Sequence, residues 1–403
     1  MTTTLAAHPI APWALLLTIT ALFTLQPVST DLYLPALPEI TQHFGVGVSQ
    51  TQMTLTVFVI AFGLAQLIAG PLSDRFGRWP TAIAAGLLYT SASIVCVLAP
   101  SLELLIWGRL LQGVGACMAL VNARAIIRDS YSAEEGARLI AKSGSLMSIA
   151  ILLGPTIGGL LQGAFGWRAA FVVLSVLGAL TLAAVATLLT ETNQHKNPQA
   201  TNPASLLATY GAVIRHPAFI AYTATQAASY AGLFAFLSGS SPVLQTVLGL
   251  SPQQYGLFFS ACAVGYLIGT FVCRRALRLY GLFKTMHLAA LIVLSGGLAM
   301  AGLALAGVQH WVAIGAPMFI YMIGHGVGTP CSQVGATCAF PKHAGSAAGL
   351  MGFLQMCVAS AVGLWMGASF NGSVLPLALT LGACSVILFL VVFGLVGRYG
   401  HVR

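Results

Sequence analysis

The chain has 403 residues, of which 58% are hydrophobic and only 6% charged, with a mean hydropathy of +0.89; a soluble domain carries about 25% charge, so a soluble fold is excluded and a polytopic membrane protein is left. The net charge of +9 does not imply nucleic acid, because the basic residues recur between apolar spans instead of forming one patch.

A membrane span needs about 20 apolar residues. The sequence offers twelve such stretches, at 12–34, 50–70, 80–99, 103–124, 139–161, 168–190, 217–240, 252–272, 285–307, 312–335, 345–368 and 376–397. The N-terminus lacks a basic n-region and an A-x-A site, so the first span is expected to be retained. One connection, 191–216, is long and polar, with His195, Lys196, Asn197, Pro198 and Pro203. These features predict an all-α membrane protein of twelve transmembrane helices in two six-helix bundles, 1–190 and 217–403, joined by a cytoplasmic linker at 191–216.

The first span carries Asp31, in QPVSTDLYLPALP. The other seven acids (Glu39, Asp74, Glu103, Asp129, Glu134, Glu135 and Glu191) fall at span ends or in loops, and none follows Glu191. An ionisable group inside a bilayer is costly and marks a functional site by default. Desolvation favours a neutral carboxyl and a nearby cation favours the ionised form, so a group poised between them can take and release a proton as water access changes sides. The same group can attract a cationic ligand, or hydrogen-bond a neutral one when protonated. The alternative is a structural acid with a permanent cation partner or a place in the headgroup region.

The loop after the second span reads GPLSDRFGRWPT (70–81). Gly70 is expected to permit close helix approach, and Pro71 and Gly77 to shape a tight turn. Asp74 suits the free N–H groups and positive dipole end of a helix. Arg75, Arg78 and Arg128 complete this expected gate, with Asp129 and Glu135 nearby; the plainer reading is a solvated loop that serves topology alone. Span 4 holds Arg109 in an RxxQG pattern with Gln112 and Gly113. A buried guanidinium needs acceptors, and two are open: Asp31, directly or through water, or the backbone carbonyls of span 1. Span 5 carries Gly154, Pro155, Gly158, Gly159 and Gly163, and span 8 a pair, Gly265 and Gly269; small residues let backbones pack closely, which predicts span 5 against span 8.

The second half has polar and aromatic groups within its spans: Gln226, Tyr230, Phe234, Phe236, Tyr255, Tyr266, Tyr321, His325, Gln355 and Trp365. Aromatic walls with few polar groups suit a pocket for varied apolar ligands. Gln226, Tyr230 and Gln355, with Asp31, are the expected substrate-binding residues; packing is the ordinary role for the rest, His325 included. The eight cysteines form no CxxC pair and read as small packing residues, with no metal site or disulfide framework. There is no GxxxxGK[ST] loop and no Ser/His/Asp constellation, so neither ATP drive, nor a cofactor, nor enzymatic chemistry is expected.

With the N-terminus placed in the cytoplasm, fifteen of the seventeen basic residues fall on cytoplasmic ends: Arg75, Arg78, Arg124, Arg128, Arg138, Lys142, Lys196, Arg215, Arg274, Arg275, Arg278, Lys284, Lys342, Arg398 and Arg403. Only Arg168 falls outside, and Arg109 lies in a span, which predicts both termini inside. The loop RRALRLYGLFKT (274–285) repeats the first-half loop, with Gly281 matching Gly77, Thr285 matching Thr81, and Arg278 in place of Asp74.

GPLSDRFGR resembles the signature of the major facilitator superfamily, whose plan is two parallel repeats of six spans. STDLYLPALP (29–38), GRLLQGVGA (108–116) and GPTIGG (154–159) resemble its drug:proton antiporters. TDLYLPALP followed by TQMTLT (51–56), with FLSGSSPVL and SPQQYG near span 8, resembles the Bcr/CflA subfamily. The resemblance covers almost the whole chain. It implies a monomeric exporter of the bacterial inner membrane that exchanges small-molecule drugs for protons, without choosing among bicyclomycin, phenicols and sulfonamides. It links Arg109 to proton coupling, the 70–81 loop to closure of the cytoplasmic side, with Asp74 at the N-terminus of span 11 near Gly345 and Ser346, and GPTIGG to antiport. Relatives with a second acid two turns before Asp31 differ from this chain, which has Phe23 there; about one proton per cycle is expected. The rival readings are a metabolite exporter, a proton-coupled importer on the same fold, and a non-transporting sensor.

Overall fold

The computed structural model describes residues 12–340 and 343–399; Lys342 and Arg403, counted above among the basic ends, lie outside the described residues. Among those residues all regular structure is helical. Helix α1 (Pro12–Asp31) stops at the acid. Pro35 and Pro38 then lack the N–H groups that would extend the ladder, and the chain bends through a 3₁₀ turn (Leu34–Ala36) into α2 (Leu37–Phe44). The first span is therefore helix, bend and short helix, ending at Gly45 (φ 62°).

Helices α3 (Val48–Phe76), α4 (Arg78–Leu98), α5 (Leu102–Ser130), α6 (Ala133–Phe165) and α7 (Arg168–Leu188) follow. Two start on side-chain caps: Ser101 accepts from the Leu104 N–H, and Ser132 with Glu135 forms a capping box. The long connection contains its own short helix, α8 (Pro203–Ile214), capped by Asn202. The second half comprises α9 (Pro217–Ser241), α10 (Pro252–Leu305), α11 (Trp311–Thr337), α12 (Ala344–Ser369) and α13 (Leu375–Val391).

Ten of these elements are long and apolar enough to cross a membrane. One is α10, which breaks at Gly281 (φ 71°, ψ 177°) into two arms, 252–280 and 282–305. Counting both arms, and adding the serine- and threonine-bearing α9, gives the twelve spans. The internal repeat is visible in detail. Gly77 (φ 109°) and Gly281 make the same kind of break, and Thr81 and Thr285 each donate a hydroxyl back to that glycine's carbonyl, at 2.6 and 2.7 Å.

In the first half α5 packs on α3 and α4, α4 on α7, and α1 on α5, α6 and α7; in the second, α10 packs on α11 and α13, and α9 on α11, α12 and α13. The halves meet along two seams, α3 with α12 and α6 with the first arm of α10. Outer faces are apolar, with Leu87, Leu180, Leu298 and Leu390 exposed as bilayer contact requires.

Candidate functional site

Asp31 lies at the end of α1, beside α6, and is 7% exposed. Thr30 Oγ1 donates to its Oδ1 at 3.0 Å. No Lys, Arg or His makes an ion pair with it among the described residues. A Cβ at Gly154 of α6 would stand 3.4 Å from the Asp31 Cβ, so the first glycine of GPTIGG keeps the space beside the acid open. Across the seam, Tyr230 of α9 and Tyr255 of α10 lie within electrostatic reach of Asp31.

Arg109 is fully buried, but its partners are not carboxylates. Nη1 donates to the Ser29 carbonyl of α1 at 3.1 Å and to Gln112 Oε1 at 2.6 Å, and Nε to the Thr54 carbonyl of α3 at 3.3 Å. The guanidinium sits over the rings of Phe58 (4.3 Å) and Tyr33 (4.8 Å), and Nη2 has no partner. Of the two sets of acceptors open in the sequence, the structure uses the backbone of span 1. This arginine fixes α1 against α3 two residues before Asp31.

Gln226 is buried with its Oε1 unpartnered. Tyr230 stacks near Phe234, with ring centroids 6.3 Å apart. Gln355 is half-buried on α12. His325 is buried and hydrogen-bonded to Ser229 Oγ (2.8 Å), between the rings of Tyr230 and Tyr266. Tyr255 bonds Ser240 at 2.9 Å, and Tyr321 donates to the Ser229 carbonyl at 2.8 Å. Trp365 is exposed, with its indole N–H on Thr380, and so faces away from the seam.

The glycine motifs divide their work differently from the expectation. Span 5 does pack on span 8: a Cβ at Gly159 would collide with the Pro252 carbonyl, one at Gly256 with the Pro155 carbonyl, and Thr156 bonds Ser260 at 2.7 Å. Gly158 faces the Leu32 carbonyl, just past the end of α1. The partner glycine on span 8 is Gly256. Gly265 and Gly269 instead lie against the Phe319 and Ile323 carbonyls of α11, because α10 carries small residues on two faces and each seats a different neighbour.

The 70–81 loop departs further from the sequence reading. Pro71 is inside α3, and the turn is made by Gly77 alone. Gly70 is not at a close crossing, since its nearest neighbour would be Val121 at 4.0 Å; α3 crosses α12 closely earlier, where a Cβ at Gly63 would meet Met356 at 2.6 Å. Asp74 does not cap α12. It pairs with Arg78 at 2.6 Å, and Arg128 stands 3.8 Å away. Arg78, 4% exposed, also holds Asp129 at 2.7 Å and Ser73 Oγ at 3.0 Å. The near pairing wins because Asp74 and Arg78 are one turn apart across the Gly77 break. Glu135 is occupied with Ser132. Four contacts were not anticipated. Glu191 accepts from the Arg78 N–H at 2.9 Å, Asn193 and Asn197 donate to the Asp74 carbonyl, and Arg75 reaches Thr201. The connecting segment thus lies on the 70–81 loop; its Asn, Thr and Glu content is the signal that could have shown this.

Residues 19–364 match the family model of the Major Facilitator Superfamily. The chain belongs to that superfamily. It is therefore a multi-pass membrane transporter and not an enzyme. It is similar to a "Bicyclomycin resistance protein homolog" of Haemophilus influenzae, with 27% identity over 95% of this chain and 96% of the relative. It is also similar to "Multidrug resistance protein MdtL" of Salmonella heidelberg, with 29% identity over 93% of each. Among solved structures, a D-xylose-proton symporter superposes with a TM-score of 0.78 at 16% identity, covering 96% of this chain and 98% of the other; at that identity it speaks for the fold alone. The resemblance to Bcr/CflA-like antiporters agrees with the named relatives.

Proposed function

We propose that this major facilitator protein is a proton-driven exporter of drugs and antibiotics in the bacterial inner membrane, with both termini in the cytoplasm and a single chain as the working unit. The observation that carries the mechanism is Asp31: buried, beside Gly154 of α6, and without a counter-cation among the described residues. A carboxyl group in that setting changes charge only when water reaches it. A proton from the periplasm and a drug from the cytoplasm or inner leaflet compete for it, and the competition couples the two fluxes. Gln226, Tyr230 and Gln355 supply the second-half wall of the drug site. Arg109 acts by holding the α1 backbone on which Asp31 stands.

The two halves, 1–190 and 217–403, rock as bodies about the seams with 191–216 as their tether. On the face away from the basic loops the halves are tied by Gln52 to the Ser238 carbonyl at 2.8 Å and Gln245 to the Pro35 carbonyl at 3.1 Å. On the basic face Asp74 is held within its own half. Closing that face moves Asp74 toward the N-terminus of α12. The membrane potential contributes about 2.3 kcal/mol per charge per 100 mV to any net charge moved.

The test uses a bacterium stripped of its own pumps, expressing wild type or Asp31→Asn at matched membrane levels against bicyclomycin, phenicols, sulfonamides and lipophilic cations. Resistance that disappears in the variant is the expected result. Resistance that persists in it contradicts the coupling role. No resistance in the wild type contradicts drug export and favours a metabolite as cargo.

A further inference from the structure

A recess of 670 Å³ opens on the face away from the basic loops, between α2, the start of α3, the end of α6, the turn after α9 and the start of α10. Its volume falls in the range of small-molecule sites, and Asp31, Gln226, Tyr230 and Gln355 take no part in its lining. Leu37, Pro38, Val46, Leu250 and Pro252 give it apolar walls. Its one charged residue is Glu39, and no Lys, Arg or His lines it.

Two of the glutamines that line it hold a carbonyl oxygen without a donor. Gln162 Nε2 donates to Glu39 Oε2 at 2.9 Å, which fixes that amide and leaves Gln162 Oε1 buried without a donor. Gln52 Nε2 is committed to the Ser238 carbonyl, and its Oε1 is likewise buried and unpartnered, on a side chain only 2% exposed. Gln245 Nε2 is committed to the Pro35 carbonyl and Ser241 Oγ. These three glutamines give N–H groups to the protein; Gln162 keeps its oxygen beside Glu39, whereas the Gln52 oxygen lies against Gly367 of α12. Gly166 (φ 78°) lies against the other Glu39 oxygen, where a Cβ would stand at 3.1 Å. Glu39 has no cationic side chain within ion-pair distance among the described residues. The recess offers a carboxylate without a cation and a spare acceptor beside it; its open donors are the exposed Gln42 and Thr246 side chains.

We propose that this outer recess is a binding site for organic ammonium ions with an apolar body, with Glu39 as counter-charge. The ammonium N–H groups answer the acceptors, the charge answers the carboxylate, and the hydrocarbon lies on the proline and leucine walls. A neutral compound gains the walls alone. The site is separate from Asp31 and does not require that the protein export anything.

Dansylcadaverine, a fluorescent primary ammonium, is titrated into the full-length protein in nanodiscs, in the Asp31→Asn background so that the inner acid contributes nothing. Its uncharged N-acetyl derivative serves as the paired probe. Glu39→Gln is expected to weaken the ammonium about fivefold, the scale of one partly solvated ion pair, and to leave the acetylated probe unchanged. Thr246→Lys, which sets a fixed cation at an exposed rim position without touching the bonds of Glu39, is expected to do the same and covers the case of a Glu39 variant that fails to fold. Unchanged ammonium affinity in both folded variants, or an equal loss for both probes, overturns the proposal. Because Asp31 is already removed, a failure of the export mechanism does not enter the result.

Discussion

Arg109 and Asp31 look like a natural ion pair in the sequence, yet the guanidinium is spent on the Ser29 and Thr54 carbonyls, Gln112 and two aromatic faces. That geometry needs a planar fork, which lysine lacks. Arg109→Lys is therefore expected to cost stability, about 3 kcal/mol on the scale of hydrogen bonds from a charged donor, seen as a lower unfolding temperature in nanodiscs. An unchanged unfolding temperature with lost proton exchange would assign it directly to coupling. Asp31 was legible because it is a lone acid in an apolar run. The neutral network around Asn122, whose Oδ1 accepts from Ser73 at 2.6 Å and Thr81 at 2.9 Å, was not, since serine, threonine and asparagine occur throughout the spans without distinction.

At the scale of elements, the seam between α6 and α10 rests on absent side chains. Gly256→Val forces a branched side chain into the Pro155 carbonyl, and overpacking of this kind typically costs 1–3 kcal/mol. Transport is expected to fall below a tenth of wild type (about 1.4 kcal/mol is tenfold), whereas Gly302→Ala, with nothing within 4 Å, is expected to be silent; drug accumulation in cells distinguishes them. Helix existence was readable from apolar length and the Gly77 and Gly281 breaks from the loop repeat. Which neighbour each small-residue face would meet was not readable, because every neighbour is apolar. The same blindness hid the docking of 191–202 on the 70–81 loop, where single polar residues meet backbone groups far away in sequence.

For the whole molecule, span number was legible because bilayer thickness constrains it strongly. The conformation was not, since it depends on small differences between alternative sets of contacts such as those of Asp74. If rocking opens the face beyond Asp31, the ends of α3 and α12 must part there. Ser49 and Gly367 touch at that point, where a Cβ on Gly367 would lie 3.1 Å from the Ser49 Cα. A Ser49→Cys/Gly367→Cys pair is expected to stop transport on oxidation and to recover on reduction, while each single variant remains active. The central claim is that drug and proton share Asp31, and the most direct measurement is proton release from proteoliposomes on drug addition, with wild type and Asp31→Asn compared at equal drug binding to the rest of the site. Release in the wild type that is absent in the variant is the predicted result. Equal release from both would place the proton elsewhere and contradict the account.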